Sequence, residues 1–306
     1  MGRPTRARGC SAGRLAFALT PAALIAIALP AAPAAAQEAP VCLKVKEKLD
    51  DGVNHWRGTN HRDRVTGLRG RDKMKGRKGN DRINGGRDND VVKGGPGNDT
   101  VCGGRGGDRL FGGPGDDIIY GEEENDKIYP GPGDDKVLGS AGNDRIFGWA
   151  EHDGEIVDDG IDILDGGFND DVIEAGGADA LFGYTHNDVL LTKTPLIAPQ
   201  IMDGGGNDDE LLGSEADDNM HGGENGQDTL RGAGGNDQLF GEGNDDELYG
   251  EVGDDTLSGG DGFDLLNGGP GSDVCDGGEL RDQAQECERE LQIPRPFATE
   301  SFAPWR

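Results

Sequence analysis

From residue 58 onward, single apolar residues recur among polar ones at a spacing of nine: Val65, Met74, Ile83, Val92, Val101, Leu110, Ile119, Ile128, Val137 and Ile146, continuing to Leu266, Cys275 and Ala284. Two residues ahead of each stands an aspartate, and ahead of that a glycine-rich stretch, clearest in Gly94-Gly95-Pro96-Gly97-Asn98-Asp99 and Gly112-Gly113-Pro114-Gly115-Asp116-Asp117. A period of nine matches neither the 3.6-residue helix nor a long alternating strand. Each unit reads instead as a six-residue turn followed by a very short strand with one side chain turned inward. A strand that short cannot bury its apolar residue alone. Copies stacked side by side at about 4.8 Å line the inward residues into a ladder, which predicts a parallel coil.

The aspartate recurs without a slip at Asp63, Asp72, Asp81, Asp90, Asp99, Asp108, Asp117, Asp126, Asp135, Asp144, Asp153, Asp162 and Asp171. The register then shortens by one residue to Asp179, resumes at Asp188 and breaks at residues 192–203. Beyond the break come Asp209, Asp218, Asp228, Asp237, Asp246, Asp255, Asp264, Asp273 and Asp282, which makes 24 units. An apolar or small residue follows in all but one, where Glu155 takes the inward place, so a bulge or a weak coil is expected there. The pattern divides the chain into an N-terminal cap segment (37–57), a first stack (58–191), an insertion loop (192–203), a second stack (204–285) and a tail (286–306). The tail carries Phe297, Phe302 and Trp305; covering the last coil and remaining disordered are both open to it.

Composition alone points elsewhere. With 33% hydrophobic and 5% aromatic residues, the chain lacks the apolar material for a globular core of its length. High charge and few aromatics would suggest disorder, and the regular period overturns that reading. Residues 1–36 follow a different rule: Arg3, Arg6, Arg8 and Arg14, an apolar run from Leu15 to Leu29, then Ala34-Ala35-Ala36. This is the layout of a cleaved secretory signal. A membrane anchor is the weaker reading, because the run is short for a bilayer and Pro21 interrupts it. A secreted protein without stable membrane insertion is expected.

The formal charge is −29, and losing four signal arginines makes it more negative. It is unevenly spread: residues 42–93 hold 15 Lys/Arg against 8 Asp/Glu, whereas residues 94–306 hold 11 against 50. So acidic a body disfavours nucleic acid as a partner and favours cations. Cys42, Cys102, Cys275 and Cys287 remain after the signal, an even number that suggests two disulfides. Proximity pairs Cys275 with Cys287 and leaves Cys42 with Cys102; zinc binding has no CxxC spacing behind it. No HExxH or GxSxG occurs, and the five histidines (55, 61, 152, 186 and 221) are scattered and read as solvated turn residues. No enzyme is expected.

The units at residues 58–285 resemble the RTX, or hemolysin-type, calcium-binding repeat G-G-x-G-x-D-x-U-x. That resemblance implies an all-β parallel β-roll, a β-helix-like solenoid with two units per coil and calcium ions between successive turns. It also implies that the aspartate gives its carboxylate while turn carbonyls supply most other ligands, which suits calcium's demand for six to eight hard oxygens. Carried over residue by residue, the metal ligands are Asp81, Asp90, Asp99, Asp108, Asp117, Asp126, Asp135, Asp144, Asp162, Asp171, Asp209, Asp218, Asp237, Asp246, Asp255, Asp264 and Asp273. Turns with glycine in the fourth position, such as those before Asp99, Asp117, Asp135 and Asp255, are the best of these. The units at Asp63 and Asp72 are flanked by Arg62, Arg64, Arg71 and Lys73, whose charges oppose a cation. A structural cap is one reading of them, and a polyanion-binding patch over Arg62 to Lys93 is another. A chain that folds on meeting calcium after export is expected, with a structural or adhesive role, or alternatively a module for a cell-surface polyanion or glycan.

Overall fold

The computed structural model describes residues 47–291 apart from 153–154, 158–159, 194–197, 279–281 and 288. The signal segment, Cys42 and the tail aromatics lie outside these residues. The described chain is a parallel β-roll, as expected. Successive units alternate between two long sheets: a first of 14 strands, beginning Glu47–Lys48, Arg64–Thr66, Arg82–Arg87, and a second of 13, beginning His55–Arg57, Lys73–Lys75, Val91–Lys93. One coil therefore takes two units. Register is kept residue for residue along most of the ladder, as where Lys127, Ile128 and Tyr129 pair with Arg109, Leu110 and Phe111, and it slips by one residue between Gly205 and Gly206, which face Gly223 and Asn225.

Three-residue strands suffice because only the middle side chain turns inward. Lys73–Lys75 runs exposed, buried, exposed. The middle residues of both sheets meet in one core, where Val101, Leu110, Ile119 and Ile128 have no exposure at all. Between strands the backbone must reverse within a few residues, and it does so through left-handed positions. Gly95 and Gly97 sit at φ 112° and 135°, and the residues replacing glycine at the second of these positions, Asn169, Asn207 and Asn244, keep φ at 79°, 75° and 78°. Asparagine tolerates this conformation better than most side chains do.

The ladder departs from the sequence count in three places. Strand Lys136–Ala141 pairs directly with Ile163–Phe168, and Arg145–Gly148 with Val172–Ala175, so a whole unit is passed over. Its residues leave the roll as a hairpin of Ala150–His152 against Glu155–Val157. The reason lies in Glu155: at the inward place it would bury an unpaired carboxylate in the apolar column. Asp153 lies outside the described residues.

The insertion leaves both ladders unbroken. Ala180, Leu181 and Phe182 pair with Ile201, Met202 and Asp203 across it, and Val189 pairs with Glu210, so the two stacks read from the sequence run on as one roll. Residues 200–202 form a unit that the aspartate search passes over, with Gln200 in the aspartate's place and Met202 buried in the core. Likewise Asn54 opens a coil ahead of the first counted unit, its N–H donating to Asp72 Oδ1 at 2.6 Å, with Trp56 packed against the core.

At the far end, Cys275 and Cys287 form the expected disulfide, with Cα atoms 6.1 Å apart. Strand Arg289–Leu291 adds to the first sheet beyond it. The pairing of Cys42 with Cys102 falls outside the described residues. Three of the histidines differ from expectation: His55, His152 and His221 lie on strands, and only His61 and His186 lie in turns. No helix among the described residues is long and apolar enough to cross a membrane.

Candidate metal centres

Nearly every strand of the roll is entered through an aspartate, and these form two columns, one along each sheet. The main-chain N–H of each donates to Oδ1 of the aspartate one coil further on: Asp81 to Asp99 at 2.7 Å, Asp90 to Asp108 at 2.6 Å, Asp99 to Asp117 at 2.7 Å, Asp108 to Asp126 at 2.7 Å. Its carbonyl accepts the N–H that follows the next aspartate of the column, as Thr100 donates to Asp81 at 2.8 Å. One carboxylate oxygen is thus committed to holding coils together. The other is left over.

All seventeen aspartates singled out from the sequence are buried in these columns. At each ladder position from Asp81 to Asp144, and again at Asp171, Asp209, Asp237, Asp246, Asp255 and Asp264, Oδ2 is buried without a hydrogen-bond partner. Asp162 and Asp273 hold the same places, accepting from the N–H of Asp135 and Asp255 at 2.9 Å each. Asp72, Asp188, Asp228 and Asp282 share the arrangement, although they are not among the seventeen. In the sequence these four stand in the same Asp-x-apolar register as the seventeen, and flanking charge sets only Asp72 apart from them.

Asp218 is different. Ser214 N–H donates to its Oδ2 at 2.6 Å, so both of its oxygens are taken. Asp179 is capped in the same way by the N–H groups of Gly176 and Gly177 at 2.8 and 3.1 Å. Between the two in the first sheet stands Gln200, whose Nε2 donates to the carbonyls of Gly177 and Ala198. Three successive coils beside the insertion therefore satisfy this position with protein groups alone. At the start of the roll, Thr59 N–H caps Asp63 at 2.6 Å.

Burial makes the remaining carboxyls hold protons tightly. Removal from water is the largest cause, the N–H bond from the preceding coil opposes it, and neighbouring aspartates reinforce it, which raises Asp99 to about 7, Asp117 to about 8, and Asp126 and Asp209 to about 9. Unpaired buried oxygens and stacked like charges are both costly, and a cation relieves both.

The turns make room for one. A Cβ added at Gly204 would stand 2.5 Å from Asp209 Oδ2 and 2.8 Å from the carbonyl of Gly222; one at Gly241 would press in the same way on Asp246 Oδ2 and the Gly259 carbonyl. A carboxylate oxygen and a carbonyl of the adjacent coil thus converge where only glycine leaves space. Among the described residues no three His, Cys, Asp or Glu side chains cluster as a metal site. The oxygen donors on offer are one carboxylate per turn plus main-chain carbonyls, a hard set that fits calcium and not zinc. Beside the buried columns, an exposed file of Asx residues binds coil to coil, with Asn236 N–H to Asp217 at 2.7 Å and Asp254 N–H to Asn236 at 2.9 Å.

A family described as RTX calcium-binding nonapeptide repeat (4 copies) matches in overlapping segments over residues 57–154, 156–190 and 201–284. The chain belongs to this family of calcium-binding repeats. The gaps between matches fall at Glu155 and at the insertion, where the structure also departs from the period. No curated protein matched the chain.

Proposed function

We propose that this chain is an exported, non-catalytic protein that takes up many calcium ions between its stacked turns, folds as it does so, and serves a structural or adhesive role outside the cell. The observation that carries the reading is the file of buried, unpartnered Oδ2 atoms facing glycine turns. The N-terminal signal layout supports export, and the low calcium of a cytosol would keep such a chain unfolded before it. Equilibrium dialysis tests the metal: many calcium ions per chain should be retained against excess magnesium, whose rigid octahedral preference suits these loose carbonyl turns poorly. Retention of one ion or none would overturn it. N-terminal sequencing of the exported protein should begin at Gln37, and a product that keeps its first 36 residues contradicts the cleavage.

A further inference from the structure

We propose that the outer face of the second sheet, over its first six coils, docks a linear acidic polysaccharide. This goes beyond the calcium reading and rests on it only for the folded ladder. The six strands are His55–Arg57, Lys73–Lys75, Val91–Lys93, Arg109–Phe111, Lys127–Tyr129 and Arg145–Gly148. In each, the first and third side chains point outward. The first positions form a column holding Lys73, Arg109, Lys127 and Arg145; the third positions form a parallel column holding Arg57, Lys75 and Lys93, all seven exposed. Every coil presents at least one cation, and the outward positions hold no acid, in a chain of formal charge −29. Farther along the same sheet Glu174, Glu210 and Glu247 take these positions, so the cationic strip has an end.

The strip was only partly visible in the basic stretch Arg62 to Lys93. Folding sends Arg64 and Arg82 to the opposite sheet and brings Arg57, Arg109, Lys127 and Arg145 in from outside that stretch. Its charges repeat at the coil step of about 4.8 Å, so six coils span roughly 24 Å. A chain of acidic sugars advances by one ring over nearly that step, whereas same-side residues of an extended peptide recur at about 6.6 Å and drift out of register.

Two other polyanions fit less well. Single-stranded nucleic acid needs open aromatic faces for its bases. Here Phe111, Tyr129 and Phe147 stack on one another at 5.0 and 4.7 Å, with Lys93 Nζ over the outer face of Phe111 at 4.4 Å and Trp149 edge-on to Phe147, so the ring faces are already taken. An anionic membrane needs apolar side chains to insert. The exposed large hydrophobics, such as Ile118 and Leu138, lie on the first sheet or in turns.

The test uses the mature chain in millimolar calcium, with circular dichroism of every sample, and a fluorescent, size-defined heparin oligosaccharide as probe. Binding should occur and should weaken at least tenfold in the triple variant Arg109→Gln, Lys127→Gln, Arg145→Gln. It should change less than twofold in Arg64→Gln, Arg82→Gln, Lys136→Gln, which removes equal charge from the other sheet. Should the first triple lose its β signal, Lys73→Gln, Lys75→Gln, Lys93→Gln replaces it with the same expected loss. A folded wild type that ignores the probe, equal losses in both faces' variants, or tighter binding of oligothymidylate, polyglutamate or anionic vesicles would overturn the proposal. A wild type that stays unfolded in calcium overturns the calcium reading instead, and dichroism tells the two apart.

Discussion

At a single turn, what matters is which carboxylate oxygen is spare. Asp126 and Asp218 look alike in sequence, but Asp218 Oδ2 is held by Ser214 and Asp126 Oδ2 is not. Asp126→Asn keeps an acceptor for the Asp108 N–H and should remove about one bound ion, weakening calcium-coupled folding by roughly 0.4–1.4 kcal/mol for a site of ~10⁻⁴ to 10⁻³ M in millimolar calcium. Asp218→Asn should leave the ion count unchanged. Isothermal calorimetry distinguishes them, and equal losses would refute the difference. Steric room is the second condition. Gly204→Ala drives a methyl against Asp209 Oδ2 and the Gly222 carbonyl, so the midpoint of calcium-induced folding should move to higher calcium, at a cost of about 1–3 kcal/mol. An unchanged midpoint would mean that the bare Cα is not required.

The single coil is where sequence and structure diverge most instructively. The nine-residue period, the inward apolar column and the parallel pairing were all legible, because each follows from the Asp-x-apolar spacing. Gln200 escapes the Asp pattern because its amide oxygen accepts the ladder hydrogen bond of Asp179 as a carboxylate would, and Asn54 escapes it because, at the start of the roll, it only donates its main-chain N–H to Asp72. The unit at Asp153 was overcounted: its spacing is right, and only the inward Glu155 betrays that it cannot stack. Pairing jumps 27 residues there instead of 18, as in the bond from Asp135 to Asp162. Deleting residues 149–157 restores the common step by joining Gly148 to Asp158. Calcium stoichiometry should stay within one ion of wild type and the melting temperature within a few degrees. A loss of several ions would show that the hairpin supports the roll. The capped stretch at Asp179, Gln200 and Asp218 was likewise hidden, since Ser214 and Gly176 reveal their roles only once the coil is closed.

Over the whole molecule, the two carboxylate columns couple fold, metal and acidity. Their protons are held more tightly in the roll than in the unfolded chain, where aspartate titrates near 3.8. Any stability of the calcium-free roll is therefore fully present below that value and is lost as pH rises through the folded values, from about 6 at Asp255 to about 9 at Asp126. Without calcium, the β signal should be stronger at pH 5 than at pH 8. With calcium the order should reverse, because binding displaces those protons. A calcium-free signal that does not vary with pH would mean that the carboxyls are already paired. The central claim, that calcium fills the columns and completes the roll, is met most directly by titrating calcium into the metal-free mature chain at pH 7.5 while following far-ultraviolet circular dichroism. A cooperative rise of β signal that saturates as many ions bind is the expected result, and a β signal already complete in chelator would contradict it.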